Sequence, residues 1–143
     1  YEKYRALLES TAYGTKLIIE LFQQHKVEVD RILLAGGIPS KNPLLVQIYA
    51  DILQQPLVVL GEEQIPALGA AILGAAAYEQ EPLHVSARKY GAKEQKVYMP
   101  NVNYKDVYEK LYSIYKELAR MFGQSEMLQQ LHELKKEEGK FKG

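Results

Sequence analysis

The residues best suited to bind a ligand lie in one short polar stretch of the chain. Gly36 and Gly37 directly follow an apolar run, and a glycine pair lets a ligand approach the backbone because no Cβ stands in the way. Ser40, Lys41 and Asn42 come next and offer a hydroxyl, an ammonium and an amide at the rim of the same loop. Open α/β sheets bind ligands at the carboxyl ends of parallel strands, so this pattern predicts a nucleotide site.

The same stretch has a purely structural interpretation, in which it is a tight turn from a strand into a helix. Asn42 or Ser40 would then cap the helix, and Pro43 would occupy its first turn, where a missing N–H costs nothing. The loop matches neither the G-x-G-x-x-G fingerprint nor a P-loop. Spacing alone therefore leaves both interpretations open.

The predicted elements place the aspartates, which phosphoryl transfer would need, away from the glycine loop. Phosphoryl transfer needs an aligned base and oxygen ligands for Mg²⁺. The three aspartates, Asp30, Asp51 and Asp106, all fall away from the glycine loop. Glu62 and Glu63 follow a predicted strand and could line the same crevice, although exposed loop acids are the ordinary interpretation. The three histidines lack metal-ligand spacing, and the sequence therefore predicts no group for phosphoryl transfer beside the glycine loop.

The elements that position the loop follow from hydrophobic periodicity. The pattern predicts helices and buried strands over residues 3–24 (helix), 32–35 (strand), 43–54 (helix), 57–60 (strand) and 66–80 (helix, with small side chains that permit close packing). A strand, helix and strand in succession form a right-handed βαβ unit of an α/β fold. Two strands make no stable sheet alone, so we expect further strands from sequence outside this chain.

The remaining residues are predicted to be mainly helical. We expect three parts: residues 1–80 as part of a nucleotide-binding domain, 81–102 as a connector, and 103–143 as a helical C-terminal extension. The extension would contain helices over 103–122, capped by Asn103 and followed by Gly123, and over 125–137. Its tyrosines recur at helical spacing, which favours core or interface packing over base stacking.

Composition limits the classes of partner. The 143 residues are 47% hydrophobic and 25% charged with a formal net charge of zero, so no nucleic-acid or anionic membrane partner is indicated. The longest apolar run is too short to span a bilayer. The chain has no cysteine, which fits a reducing compartment, and we expect a cytoplasmic protein. Because the sequence opens inside helical periodicity without a cap, we expect a piece of a longer chain, the alternative being a processed mature chain.

Several blocks, taken in order, resemble one enzyme family. The blocks are residues 5–9 with 12–14, residues 36–42 with 47–53, and residues 67–71. Together they resemble the FGGY carbohydrate kinases, and similar blocks at 89–91, 98–100 and 108–115 extend the resemblance over nearly the whole chain. The resemblance implies an actin-like (ribonuclease H-like) ATPase fold with two domains around a cleft. This chain would form most of the second, nucleotide-binding domain.

The resemblance also implies which residues face the nucleotide. Gly36 and Gly37 would approach the adenine of ATP, and Asn42 would border it. The catalytic aspartate, the phosphate-binding loop and the sugar pocket of such kinases lie upstream, so Mg²⁺ and the sugar substrate would be bound mainly there. The expected partners are the N-terminal part of the kinase, ATP and the sugar. Whether the parent forms a homo-oligomer is left open. The fragment alone should be inactive.

A different class of function is also compatible with the sequence. The segment over 103–137 is large relative to the βαβ core and has a long tyrosine-bearing apolar face. Such a face is typical of a helix that packs against another protein. The alternative hypothesis is therefore a non-catalytic helical interaction module.

Overall fold

A computed structural model describes residues 2–124, 126, 128, 130, 133 and 134. The fold is mixed α/β, mostly helical with one small sheet. Its elements are α1 (Glu2–Gln24), β1 (Ile32–Leu34), α2 (Gly37–Lys41), α3 (Pro43–Leu53), β2 (Leu57–Leu60), α4 (Ile65–Glu79), α5 (Leu83–Tyr90), β3 (Glu94–Tyr98), a 3₁₀ turn (Val102–Tyr104) and α6 (Lys105–Gln124). The chain forms two compact units, Tyr1–Lys105 and Asp106–Gly143. The three-part domain division stays a prediction.

The sheet of the first unit confirms the predicted pair of parallel strands. Its order is β1-β2-β3, and β1 pairs with β2 in parallel with Ile32 opposite Leu57. The connection between them runs through α2 and α3, as the βαβ pattern predicted. The right-handed sense of this crossover stays a prediction. The carboxyl end of β1 therefore leads directly into the predicted site.

The predicted connector after residue 80 contains two elements that the sequence analysis did not predict. It contains α5 and β3, and β3 pairs antiparallel with β2, with Val58 opposite Val97. Most β3 side chains are exposed, so the strand lacks the apolar alternation from which strands are predicted. It forms through backbone pairing with the edge of β2, and this edge needs no strand from outside the chain.

One cluster of the core of the first unit lies between α3 and one face of β2. Val46, Ala50 and Leu53 of α3 pack with Leu57 and Val59 of β2, which share a face because strand side chains alternate. Fully burying a side chain such as Val or Leu contributes about 1.5–3 kcal/mol. This packing fixes α3, and with it the start of the helix where the predicted site lies.

The small-residue helix α4 differs from its prediction. It contacts α5, but none of its residues is buried. A Cβ added at Gly69 or Gly74 would meet no other described atom within 4 Å. The predicted close approach of this helix to a neighbour is therefore absent from the part of the chain that the structure describes.

The ends of α6 also differ from the sequence prediction. Asn101, rather than Asn103, caps the turn before the helix, since its side chain accepts a hydrogen bond of 3.0 Å from the Asn103 N–H. Gly123 lies inside α6 instead of just beyond it, because the helix ends at Gln124. Most of the predicted helix over 125–137 lies outside the described residues.

Candidate functional site

The two glycines of the predicted loop form the turn between β1 and α2. Gly36 has φ 91° and ψ −178°, a conformation that favours glycine because a Cβ would be strained there. The chain then enters α2 at Gly37, and Ser40 and Lys41 lie on this short helix. Asn42 links α2 to α3. The structure thus brings all five predicted residues to the carboxyl end of β1, on a short helix rather than an open loop.

The backbone conformation at Gly37, unlike that at Gly36, does not require a glycine. Its backbone is helical, and an added Cβ would lie 3.6 Å from Lys41 Nζ and 3.8 Å from Glu63 Oε2, which is ordinary van der Waals contact. The described residues therefore explain a glycine at position 36 but leave room for a side chain at position 37.

Asn42 has the capping role that the structural interpretation assigned to it. Its Oδ1 accepts a hydrogen bond of 3.1 Å from the Leu45 N–H at the start of α3, and Pro43 occupies the first turn. Capping uses the oxygen, so the Nδ2 group still offers two donors to a ligand. Ser40, the other proposed cap, instead donates to the Gly37 carbonyl oxygen at 3.0 Å.

Glu63, which the sequence analysis named with Glu62 as an acid that could line the crevice, contacts α2. Its Oε1 accepts from Ser40 Oγ at 3.2 Å, and its Oε2 accepts from Lys41 Nζ at 3.2 Å. These contacts tie the loop after β2 to α2. The side chains of Lys41 and Glu63 are 72% and 46% exposed, so the ion pair contributes only about 0–1 kcal/mol to stability.

The position of Glu63 after a strand, which the sequence analysis used, explains why it can reach α2. It lies just after β2, and parallel neighbours such as β1 and β2 end at the same edge of a sheet. Glu62, one residue earlier, accepts a hydrogen bond of 2.9 Å from the Gln64 N–H before α4. Of the two acids, only Glu63 makes a contact with α2 that is recorded in the structure.

Two cavities flank α2. One, of about 250 Å³, is largely apolar and is lined by Leu34, Ala35, Ile38, Pro39, Leu45, Val46 and Tyr49. The other, of about 220 Å³, is more polar and is lined by Pro39, Ser40, Pro43, Val59, Gln95, Lys96 and Tyr98. Ligand pockets usually enclose about 300–1,000 Å³, so either cavity suits one part of a nucleotide better than a whole one.

One buried carboxylate near the site has a structural role. Asp51 is buried on α3, where its Oδ1 accepts from Gln47 Nε2 and from the Asn101 N–H, both at 2.8 Å. Nowhere among residues that the structure describes do three His, Cys, Asp or Glu side chains cluster closely enough to hold a metal ion.

The most strongly perturbed carboxylate joins α4 to α5. A hydrogen bond from Lys89 Nζ at 2.8 Å and another from Tyr90 OH at 2.7 Å lower the pKa of Glu79 from its ordinary 4.5 to about 2. The Glu79 carboxylate in turn raises the pKa of the Lys89 ammonium. Perturbed groups often mark functional sites, but this ion pair accounts for its own shift and connects two neighbouring helices.

The sequence of this chain matches known proteins over most of its length. The sequence model for the FGGY family of carbohydrate kinases, C-terminal domain, matches residues 1–78. Ribulokinase of Bacillus licheniformis is 40% identical over 140 residues, which cover 94% of this chain and 25% of that protein. Ribulokinase of Mycolicibacterium smegmatis is 42% identical over 128 residues, covering 89% and 23%. The chain thus spans about a quarter of the length of these relatives.

Two solved kinase structures share the fold of this chain. A xylulose kinase from Rhodospirillum rubrum superimposes with a TM-score of 0.70 at 21% identity, over 84% of this chain and 24% of that chain. A gluconate kinase from Lactobacillus acidophilus superimposes with a TM-score of 0.67 at 25% identity, over 87% and 25%. The match to residues 1–78 covers more than half of the 143 residues, and the chain therefore belongs to the FGGY family of carbohydrate kinases.

Proposed function

We propose that this chain is the C-terminal nucleotide-binding segment of an ATP-dependent sugar kinase. The observation that carries the proposal is the turn at Gly36 and Gly37, which ends a parallel strand in a member of a kinase family. The names of the relatives favour L-ribulose as the sugar. The parent enzyme would transfer the γ-phosphoryl group of ATP to L-ribulose and release L-ribulose 5-phosphate and ADP, a step of arabinose catabolism.

In this proposal, the turn and α2 hold the adenosine half of ATP. The adenine lies against the backbone of Gly36 and Gly37, and the Nδ2 group of Asn42 borders it. Ser40 and Lys41 form the rim, which Glu63 holds in place. Mg²⁺ accompanies ATP and is held mainly by the upstream part of the kinase, along with the sugar.

The upstream part of the kinase is the principal partner that we propose for this chain. The helix α4 is rich in apolar residues around its whole circumference yet has no buried residue, and such helices are normally enclosed. Completing an actin-like ATPase fold with upstream sequence would enclose it. Closure of the two domains around the cleft would align the phosphates and exclude water.

Location is part of the same proposal. No helix among the described residues combines the length and apolar character needed to cross a membrane. We propose a cytoplasmic enzyme because its nucleotide and sugar substrates are metabolites of that compartment.

ATP titration by calorimetry on the full-length parent tests the nucleotide role. We expect Gly37→Trp to weaken ATP binding at least about tenfold, because the indole would occupy the space beside the turn; a loss of this size is about 1.4 kcal/mol. Gly123→Trp is the matched control, since a Cβ there meets no described atom within 4 Å. Circular dichroism would verify folding. Unchanged ATP affinity in a folded Gly37→Trp variant would show that the loop does not bind the nucleotide.

The alternative of an interaction module concerns a different part of the chain. Because the chain belongs to a kinase family, we do not propose protein interaction as its sole function. The exposed apolar side chains of α6 are compatible with assembly of the same kinase.

A further inference from the structure

Glu63 faces both glycines of the turn after β1. A Cβ added at Gly37 would lie 3.8 Å from Glu63 Oε2, and one added at Gly36 would lie 4.0 Å from the Glu63 carbonyl oxygen. The carboxylate therefore lies over the backbone against which the adenine is proposed to rest. A nucleotide placed there would have a part of its nucleoside beside Glu63.

The carboxylate of Glu63 is held by two donors and can still accept more hydrogen bonds. Ser40 Oγ donates to Oε1 and Lys41 Nζ donates to Oε2, both at 3.2 Å. A carboxylate has about four lone-pair sites, so each oxygen can accept one further hydrogen bond. The side chain is 46% exposed, and a ligand can reach these sites from solvent. Ser40 and Lys41 thus orient a pair of acceptors.

The negative charge of Glu63 selects the part of a nucleotide that can bind there. A phosphate is also negative and would be repelled. The adenine edge carries the N6 amino donor beside the N7 acceptor, so one carboxylate oxygen would face a lone pair of the base. The ribose carries neighbouring 2′- and 3′-hydroxyls, and each can donate. The ribose diol is therefore the group that matches both carboxylate oxygens.

The place of Glu63 in the βαβ unit agrees with a contact to ribose. In dinucleotide-binding folds, an acidic residue about 20 residues beyond the glycine turn hydrogen-bonds a ribose hydroxyl. Glu63 follows Gly37 by 26 residues and lies just beyond β2, the parallel neighbour of β1. One end of the sheet thus presents the glycine turn and an acid to two parts of the same nucleoside.

We propose that the Glu63 carboxylate accepts hydrogen bonds from the 2′- and 3′-hydroxyls of the ATP ribose. This assignment rests on the proposed function, because it requires the adenine to lie against Gly36 and Gly37. Ser40 and Lys41 position the carboxylate through the contacts described above. Glu63 then makes the kinase select ATP over analogues that lack the ribose hydroxyls.

Calorimetry on the full-length parent, without sugar, tests the contact by comparing ATP with 2′,3′-dideoxyATP. The wild-type parent should bind ATP about tenfold more tightly, because hydrogen bonds to a charged acceptor are the stronger ones. Glu63→Ala removes the acceptors, so ATP binding should weaken about tenfold while binding of the analogue stays within about twofold. Glu63→Gln keeps one neutral acceptor and should retain a preference for ATP of about threefold.

Two further variants separate the ribose contact from the connection between this loop and α2. Ser40→Ala removes one hydrogen bond to Glu63 but keeps the carboxylate, so it should weaken ATP and the analogue by the same factor. Glu62→Gln changes the neighbouring acid, which accepts from the Gln64 N–H, and should keep the preference for ATP at about tenfold. Circular dichroism verifies the folding of each variant.

Two outcomes would overturn the ribose contact. One is equal binding of ATP and the dideoxy analogue by the wild-type parent. The other is equal weakening of both nucleotides by Glu63→Ala, which would mean that Glu63 acts only through α2 or contacts the base.

Gly37→Trp in the same titration distinguishes these failures from a failure of the proposed function. If Gly37→Trp weakens ATP binding while Glu63→Ala leaves the preference for ATP unchanged, the turn binds the nucleotide and only the ribose contact is wrong. If Gly37→Trp leaves ATP binding unchanged, both the nucleotide role of the turn and the ribose contact are wrong.

Discussion

Gly36 and Gly37 are neighbours with different physical requirements, and their substitution should separate them. Gly36→Ala places a Cβ at φ 91°, which we expect to lower the free energy of unfolding by about 1–2 kcal/mol. Gly37→Ala adds a methyl in ordinary contact distance on a helix, and should raise it by up to about 0.5 kcal/mol. Urea unfolding of the full-length protein measures both. Equal losses for the two variants would contradict the assignment.

Glu63 should affect ATP binding more than stability. Glu63→Gln keeps an acceptor for Ser40 but removes the charge opposite Lys41, so we expect a stability loss below about 1 kcal/mol. If α2 holds the adenosine, its looser attachment should weaken ATP binding a few-fold. Calorimetry on the parent measures the binding, and Glu62→Gln in the same loop is the matched control. Equal effects of the two variants would remove the special role of Glu63.

The contact between α4 and α5 depends on pH in a direction that follows from its pKa shifts. The pKa of Glu79 is lowered by Lys89 and Tyr90 to about 2, so its contribution to stability is complete above its ordinary 4.5. That contribution is lost as the pH falls from about 4.5 to about 2. Glu79→Gln should remove this part of the acid dependence, measured as Tm against pH. If the Glu79→Gln variant kept the same fall of Tm below about pH 4.5, the expectation would be contradicted.

The ion pair of Glu79 and Lys89 also loses its stabilising contribution at high pH. Glu79 raises the pKa of Lys89, so the stabilisation by Lys89 is complete below the ordinary lysine value of 10.5. It is lost only as the pH rises above that value, outside the range in which proteins are usually studied. The connection between α4 and α5 is therefore expected to be constant from about pH 5 to 10.

Elements with apolar periodicity could be predicted from the sequence, and elements made by backbone pairing could not. The strand β2 was predicted with its observed bounds because Leu57 to Leu60 form a continuous apolar run. The strand β3 was missed because Glu94 and Lys96 give no buried face, and its stability comes from the edge of β2. Likewise Asn42 was predicted as a cap from its place before Pro43.

The site shows the same division between local and distant signals. Gly36 and Asn42 are close in sequence, and their grouping followed from the chain alone. The contact of Glu63 with Ser40 joins residues 23 positions apart, and only the parallel pairing of β1 and β2 brings them together. Hydrophobic periodicity does not predict a contact of this kind.

At the scale of the whole molecule, the chain should depend on the rest of the kinase for activity. We expect the purified 143 residues to catalyse no ATP-dependent phosphorylation of L-ribulose, whereas the full-length parent should do so. A coupled assay that detects ADP release measures both. Detectable turnover by the fragment, with contaminating kinase excluded by mass spectrometry, would contradict the expectation.

The buried Asp51 carries a consequence for where this unit can be shortened. The family match ends at residue 78, yet the carboxylate of Asp51 accepts a hydrogen bond from the Asn101 N–H, and β3 covers the edge of β2. A protein cut at residue 78 would lose both, and the Asp51 carboxyl would lose one of its two donors. Any shortened piece that keeps these contacts therefore extends to Asn101, which is 23 residues beyond the end of the family-model match.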